Sequence, residues 1–512
     1  MIKVRLNRQS FQYDVHSLVR AFYPDQEVQV ECGSVGILQG RILFLLEISF
    51  ISEQEQSIIR LRLYEEEEEK LHLEGRCCED DRRESKNELK RLLYRLLMEY
   101  SGRTLPWGNL TGIRPTKIPM TLLNQGWKNS AIARYMRETY YTSNEKTALA
   151  IAIANREHYL LEKLNLHRTS SITDAGKYSA VPETAEYSDI FENGYSVYVG
   201  IPFCPSICLY CSFSSSPIAL WRDRVNVYLD ALCHEIDCVS QMLPYRQPDT
   251  IYIGGGTPTT LEPEQMDRLL TKLEECFDRK RVKEFTVEAG RPDSITREKL
   301  MVLKEHGVTR ISINPQTMNQ ETLDFIGRKH TTEQTKEAFY LARELGFDNI
   351  NMDLIVGLPG EGAPQVEHTM QVLAEMEPDS ITVHSLAVKR AARLRLFKEE
   401  HQELSFENSS EIMNMTAAYA ERAGLHPYYL YRQKNMAGNF ENVGYARESC
   451  EGLYNILIME EVQTILALGA GAATKLVRPG NRIERIENVK DIKSYIERID
   501  EMIERKRSGL YE

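Results

Sequence analysis

Tyr198-Val-Gly-Ile-Pro-Phe-Cys204-Pro-Ser-Ile-Cys208-Leu-Tyr-Cys211 places three cysteines at C-x3-C-x2-C spacing. Apolar Val197, Val199 and Ile201 lead into them and read as a short strand entering a loop. Pro202 and Pro205 keep that loop out of helix, because each fixes φ and removes a backbone donor. A loop this short can bring three thiolates together. Three thiolates suit a [4Fe–4S] cluster, whose four irons are usually all held by cysteine. With three ligands one iron is left open, which suits chemistry better than electron storage. A structural zinc ion would want a fourth Cys or His close by. Cys233, His234 and Cys238 follow, but on a stretch that reads as helix. A disulfide would need an oxidising compartment, and nothing here suggests export.

Outward from this loop, short apolar runs alternate with amphipathic stretches. The runs Ser196–Gly200, Thr250–Gly254, Glu284–Ala289, Thr309–Asn314, Asn349–Val356 and Ser380–Ser385 read as strands. Helices are expected over Asp223–Met242, Glu262–Asp278, Thr296–Glu305, Thr332–Leu345 and Ala363–Met376. Such alternation predicts an α/β fold with a parallel sheet and helices outside it. Six repeats are too few for a closed eight-fold barrel, so a partial (β/α)6 barrel over residues 195–400 is expected. In barrels of this kind the active site lies at the C-terminal ends of the strands.

The motifs fall at those ends. The cysteine loop follows the first strand and Gly254-Gly255-Gly256-Thr257-Pro258-Thr259 follows the second. Consecutive glycines allow close backbone approach and offer unshielded amides. Glu288 closes the third strand, Asn314-Pro-Gln316 follows the fourth, and the fifth runs through Asp353-Leu-Ile-Val-Gly357-Leu-Pro359. Arg328 and His330 stand in a turn between them. A polar residue closing an apolar strand needs a partner, so Glu288, Gln316 and Asp353 are candidates for ligand contact.

Residues 1–165 read as an N-terminal α+β and helical module, with Gly102 as a helix cap and Glu65–Glu69 as a solvated turn or strand end. Leu105–Lys117 is a Gly/Pro-punctuated loop with two cations. Residues 166–194 read as a linker, and 401–512 as a mainly helical region covering the barrel mouth. That last region includes helices over Asn408–Ala423, Glu460–Leu466 and Asp491–Arg505 and a strand at Tyr428–Tyr431. No run approaches the ~18 apolar residues of a membrane span, no secretory leader is evident, and ten cysteines fit a reducing compartment. A cytoplasmic protein is expected. The formal charge of −12 argues against nucleic-acid binding.

Together these motifs resemble the oxygen-independent coproporphyrinogen III oxidase (coproporphyrinogen dehydrogenase) family of radical S-adenosylmethionine (SAM) proteins. The matching elements are Tyr198-x-x-Ile-Pro-Phe-Cys204, Gly254–Thr259, Gln316, Gly327-Arg328 and Asp353–Pro359. Thr111–Lys117 and Tyr431–Asn439 look like the branch found in anaerobic Gram-positive bacteria. The resemblance implies a [4Fe–4S] cluster on Cys204, Cys208 and Cys211, with SAM chelating the open iron. It implies that Tyr198, Tyr210, Gly255, Gly256, Thr257, Glu288, Gln316, Arg328 and Asp353 line the SAM site. It also implies oxidative decarboxylation of coproporphyrinogen III to protoporphyrinogen IX in anaerobic heme biosynthesis, driven by a one-electron donor such as flavodoxin or ferredoxin.

One position departs from that pattern. The decarboxylases carry a further cysteine two residues after the third ligand, and here Phe213 stands there. The heme-chaperone branch also has an aromatic at that position. It carries a His-Asn pair before a Tyr-Trp as well, and the nearest segment here is Asn442-Val-Gly-Tyr445. Heme binding, or radical chemistry on another tetrapyrrole, are therefore the alternatives. A tetra-anionic substrate would need cations, for which Arg291, Lys389, Arg390, Arg393, Arg432 and Lys434 are candidates.

Overall fold

Two separate patterns of strand pairing divide the chain. In the computed structural model, one unit comprises Met1–Ala154 with Arg432–Phe440 and the other Asn155–Tyr431 with Glu441–Glu512. The structure describes residues 1–24, 26–32, 42–53, 56–77, 81–112, 114–164, 194–212, 215–243, 247–387, 408–433 and 440–511. The expected linker at 166–194 lies outside them, apart from Gly194.

The first unit holds β1 (Ile2–Leu6), β2 (Val28–Cys32), β3 (Leu45–Glu53), β4 (Gln56–Glu65) and β5 (Glu68–Cys77), in the order β2-β1-β3-β4-β5. Strand β1 runs parallel to both neighbours, and β3 to β5 form an antiparallel meander. Leu46, Ile48 and Phe50 alternate along β3, and Ile59, Leu61 and Leu63 along β4. They share one core with residues of the helices Gln12–Phe22 and Arg82–Ser101. The acidic run is the β4–β5 turn, with Glu66 and Glu67 both at positive φ. Asp81 caps the start of the second helix through Arg83 and Glu84 N–H, and Gly102, at φ 65°, closes its end.

The second unit contains the expected barrel. Its strands are β6 (Tyr195–Ile201), β7 (Phe203–Cys204), β8 (Ser216–Pro217), β9 (Thr250–Gly255), β10 (Glu284–Glu288), β11 (Arg310–Ser312), β12 (Ile350–Val356), β13 (Ser380–Ser385), β14 (His426–Tyr431), β15 (Asn442–Ala446), β16 (Thr464–Leu468), β17 (Ala473–Arg478) and β18 (Arg482–Glu487). Apart from the short β7–β8 pair they form one sheet, β14-β15-β13-β12-β11-β10-β9-β6-β16-β17-β18. The pairs from β13 through β6 are all parallel, so the C-terminal ends of the six expected strands share one edge. Amphipathic helices connect them, among them Val225–Gln241, Pro263–Cys276 and Ala363–Met376.

The C-terminal region departs from its sequence reading. It supplies five strands as well as helices, and the helix expected over Glu460–Leu466 is not formed. A helix at Leu453–Glu460 ends where Glu461 turns to positive φ, and Thr464–Leu468 is strand β16. That strand pairs parallel with β6 on the side away from β9. The parallel array therefore has seven strands, and the strand leading into the cysteine loop has a neighbour on each side. Among the described residues no helix is long and apolar enough to cross a membrane.

Candidate active site

Five parallel strands are buried almost throughout and break that pattern at particular positions. The breaks are Tyr198 in β6, Tyr252 and Gly255 in β9, Glu288 in β10, Asp353 in β12 and His384 in β13. Register places Tyr198 beside Tyr252. Because alternate residues of a strand face the same way, these side chains line one side of the sheet.

The cysteine loop is tied down on several sides. Phe203 and Cys204 pair with Ser216 and Pro217, and the Ser216 N–H donates to Pro202 O at 2.8 Å. Leu209 N–H donates to Ile326 O at 3.0 Å, and Ser206 Oγ to Gly327 O at 3.2 Å. Cys211 N–H closes a turn onto Cys208 O at 3.1 Å. Cys208 is buried, while Cys204 and Cys211 are half-buried. Burial pushes the Cys204 thiol above its ordinary range, against a hydrogen bond from Thr257 (Oγ1 to Sγ, 3.5 Å). Among the described residues no three His, Cys, Asp or Glu side chains draw together as a single metal ion would require. A cluster with one iron per thiolate asks for separated sulfurs instead, and three thiols on one anchored loop fit that donor set.

The glycine loop folds against the cysteine loop. Gly256 N–H donates to Ile201 O at 2.8 Å and Thr257 N–H to Phe203 O at 2.6 Å. A Cβ on Gly256 would stand 2.4 Å from Phe203 O, so only glycine allows this approach. Two of the amides expected to greet a ligand are thus already used inside the protein, Gly256 N–H on Ile201 O and Thr257 N–H on Phe203 O.

Beside this loop, Tyr252 Oη donates to Glu288 Oε1 at 2.6 Å. The Tyr252 ring stacks on Tyr454 at 4.5 Å, and Tyr198 stacks on both. Burial, with the nearby Asp353 carboxylate, raises Glu288 to about 7, against hydrogen bonds from Tyr252 and Gly255. Asp353 goes the other way. Burial alone would raise it, but His384, Asn351 and Thr382 outweigh that and hold it below its ordinary value. Asn351 donates to Asp353 Oδ1 at 2.7 Å. Near neutrality Asp353 is therefore ionised while Glu288 is partly protonated.

Gln316 lies beyond β11 in the left-handed region at φ 67°, which a side chain other than glycine rarely adopts. Its backbone is held at both ends, by Gln316 N–H to Asp353 O (3.0 Å) and Ile355 N–H to Gln316 O (2.8 Å). The residue is 7% exposed, and its Oε1 is buried with no hydrogen-bond partner. A buried orphan acceptor beside Asp353 is what a ligand donor would satisfy. Arg328 is buried, with Nη1 on Gly290 O and Asn314 O and its other nitrogens on Tyr210 Oη. His330 is buried beside it, and burial plus the Arg328 and Arg291 cations lower its imidazole to about 3, leaving it neutral.

Of the six expected substrate cations, Arg291 and Arg432 are among the described residues. Arg291 is 3% exposed and committed to Asp293, Ser206 and Cys208, so it has no free face for a substrate carboxylate. Arg432 belongs to the first unit, where it donates to Leu110 O at 2.7 Å. Lys389, Arg390, Arg393 and Lys434 lie outside the described residues, as does Phe213. Tyr252, Tyr454 and His384 complete the constellation without having been foreseen. Tyr252 had a sequence signal in its place two residues before the glycine loop, and His384 in its place near the end of the sixth expected strand.

Residues 198–373 match the Radical SAM superfamily. A Bacillus subtilis (strain 168) protein named oxygen-independent coproporphyrinogen-III oxidase-like protein HemZ is 41% identical over 425 residues, covering 82% of this chain and 80% of that one. The chain belongs to the oxygen-independent coproporphyrinogen-III oxidase-like family of radical SAM proteins. Heme chaperone HemW of the same organism is 33% identical over 318 residues, covering 60% of this chain and 76% of its own. The oxygen-independent coproporphyrinogen III oxidase of Escherichia coli (strain K12) is 31% identical over 224 residues, covering 41% of this chain and 49% of its own. As a member of this family the protein is a radical SAM oxidoreductase, using a [4Fe–4S] cluster and S-adenosyl-L-methionine.

Proposed function

We propose that the protein decarboxylates coproporphyrinogen III to protoporphyrinogen IX at this site. The observation that carries the reading is the orphaned, buried Oε1 of Gln316, held at a strained backbone beside Asp353. A protein that had kept the cluster and given up SAM would have no need of that geometry.

In this reading Cys204, Cys208 and Cys211 hold the cluster. Gln316 and Asp353 receive hydroxyl or amino donors of SAM, and Tyr210 and Arg328 close the side of the site next to the cluster loop. Glu288, partly protonated near neutrality, can offer a donor where Asp353 offers acceptors. Gly255 and Gly256 meet the ammonium group of SAM through their carbonyl oxygens. The stacked rings of Tyr198, Tyr252 and Tyr454 make an apolar wall that excludes water from a reactive radical. When bound, the cluster and SAM would supply a 5′-deoxyadenosyl radical for hydrogen abstraction from each of two propionate side chains, each vinyl group then forming with loss of CO2 and of one electron to a one-electron acceptor. We place the reaction in the cytoplasm, with flavodoxin or ferredoxin as electron donor.

A second reading, heme handling, is favoured by Phe213 in place of the further cysteine and by the likeness to a heme chaperone. Anaerobic turnover separates the two. The reconstituted protein is given SAM, a reductant and coproporphyrinogen III, and 5′-deoxyadenosine and decarboxylated porphyrin are followed by mass spectrometry. Coupled formation of both, abolished in Cys208→Ala, supports the decarboxylase. SAM cleavage without decarboxylated product, with stable heme binding, would establish the second reading.

A further inference from the structure

The Cys208 sulfur accepts from one guanidinium group and lies within the field of a second. Arg291 Nη1 lies 3.6 Å from it, and the buried Arg328 cation interacts with it electrostatically. Their remaining partners differ. Arg328 binds only the Tyr210 hydroxyl and backbone carbonyls, whereas Arg291 is gripped by Asp293 in a two-pronged pair, Nε to Oδ1 at 2.9 Å and Nη2 to Oδ2 at 2.8 Å. Arg291 also donates to Ser206 Oγ from both Nη1 and Nη2, at 3.2 Å, and to Ser206 O at 3.4 Å. The pair thus fixes the stretch between Cys204 and Cys208 and holds a cation beside one sulfur. At 3% exposure the guanidinium is little screened by water.

We propose that the Arg291–Asp293 pair sets the reduction potential of the cluster. The inference rests on the reading that Cys204, Cys208 and Cys211 are its ligands. One electron from a one-electron reductant takes the [4Fe–4S]2+ core to [4Fe–4S]+, with no bond formed or broken. The added charge makes the cluster and its three thiolates more negative. A buried cation donating to a ligand sulfur stabilises that form and raises the potential. Asp293 offsets part of the cation's field, so the net effect is a balance between the two residues. Such a pair is a natural control point, because charge at Arg291 eases reduction while charge at Asp293 opposes it.

The two residues therefore have opposite signs, which a purely structural role would not produce. The test is a mediated redox titration of the full-length, anaerobically reconstituted protein without SAM, read by EPR of the reduced cluster, with iron and sulfide measured in each sample. Arg291→Gln is expected to make reduction about tenfold harder, a shift of ~59 mV to lower potential for one electron. Asp293→Asn is expected to shift it upward. Unchanged potentials in both, or shifts of the same sign, overturn the inference. If Arg291→Gln assembles no cluster, Asp293→Asn decides alone: an upward shift supports the proposal, and no shift or a downward one overturns it. A wild-type protein without a [4Fe–4S] signal would instead overturn the ligand reading, and this inference with it.

Discussion

The hydroxyl of Tyr252 donates to Glu288 across two adjacent strands at 2.6 Å, inside a stack of three tyrosines. That bond favours the charged carboxylate, yet burial prevails and Glu288 sits at about 7.

A pH dependence of stability follows. Between the ordinary carboxylate value and about 7, the folded chain retains a proton that the unfolded chain has released. Stability contributed at this position is therefore lost as pH rises through that window, by on the order of 3 kcal/mol at its upper end. Glu288→Gln can still accept from Tyr252 but does not titrate. Urea unfolding of the cofactor-free protein at pH 5 and pH 8 should show a smaller decline for the variant; equal declines would remove Glu288 as the cause.

Gln316→Ala removes the orphan acceptor without touching the cysteine loop. Equilibrium dialysis of the reconstituted protein against SAM should show about tenfold weaker binding, the loss of one hydrogen bond of ~1.4 kcal/mol. Iron and sulfide content should match wild type. Unaltered SAM affinity would take Gln316 out of the site.

Gly256→Ala tests the joint between the two loops. Its Cβ would stand 2.4 Å from Phe203 O and 2.9 Å from Ile201 O, both backbone atoms that cannot rotate away. The variant should retain its secondary structure by circular dichroism and lose most of its cluster absorbance. Normal loading would show that the strand leading into Cys204 can shift without cost.

A fourth prediction concerns the far side of β6. Glu235 and Lys506 are fully buried and paired at 2.7 Å, and Glu235 also accepts from Tyr495 Oη and Gly469 N–H. Gly469 packs against the backbone of Gly200, the residue before Ile201 at the end of β6. Lys506→Met leaves a buried carboxylate unpaired and should cost about 3–5 kcal/mol. Glu235→Gln in the same chain should restore part of it. A melting temperature unchanged by Lys506→Met would show that water or rearrangement reaches Glu235.

The sequence made the six parallel strands readable because each is a short apolar run and the first five are each followed by a helical period, and it made the candidate site residues readable where a polar residue interrupts such a run. Residues 460–468 misled for the same physical reason. Glu460 and Glu461 flank an apolar run, Thr464-Ile-Leu-Ala-Leu468, that is compatible with a buried helix or a buried strand. What decides it is an open position beside β6, which is visible only in the tertiary fold. Arg291 was misread as a substrate cation. Asp293, two residues on, was the available sign that its charge is already matched. Tyr454 could not have been found, since it comes from a helix far from every motif in the sequence.

The placement of β16 bears on when this site comes into being. Tyr195 and Thr464 are register partners, so the strand that feeds the cysteine loop acquires its second neighbour from residues made long after the cysteines themselves. Until Thr464–Leu468 has left the ribosome, β6 presents an open edge with a reactive thiol loop at its end. Completion of the sheet beside the cluster loop thus waits on a segment that begins 253 residues downstream of Cys211.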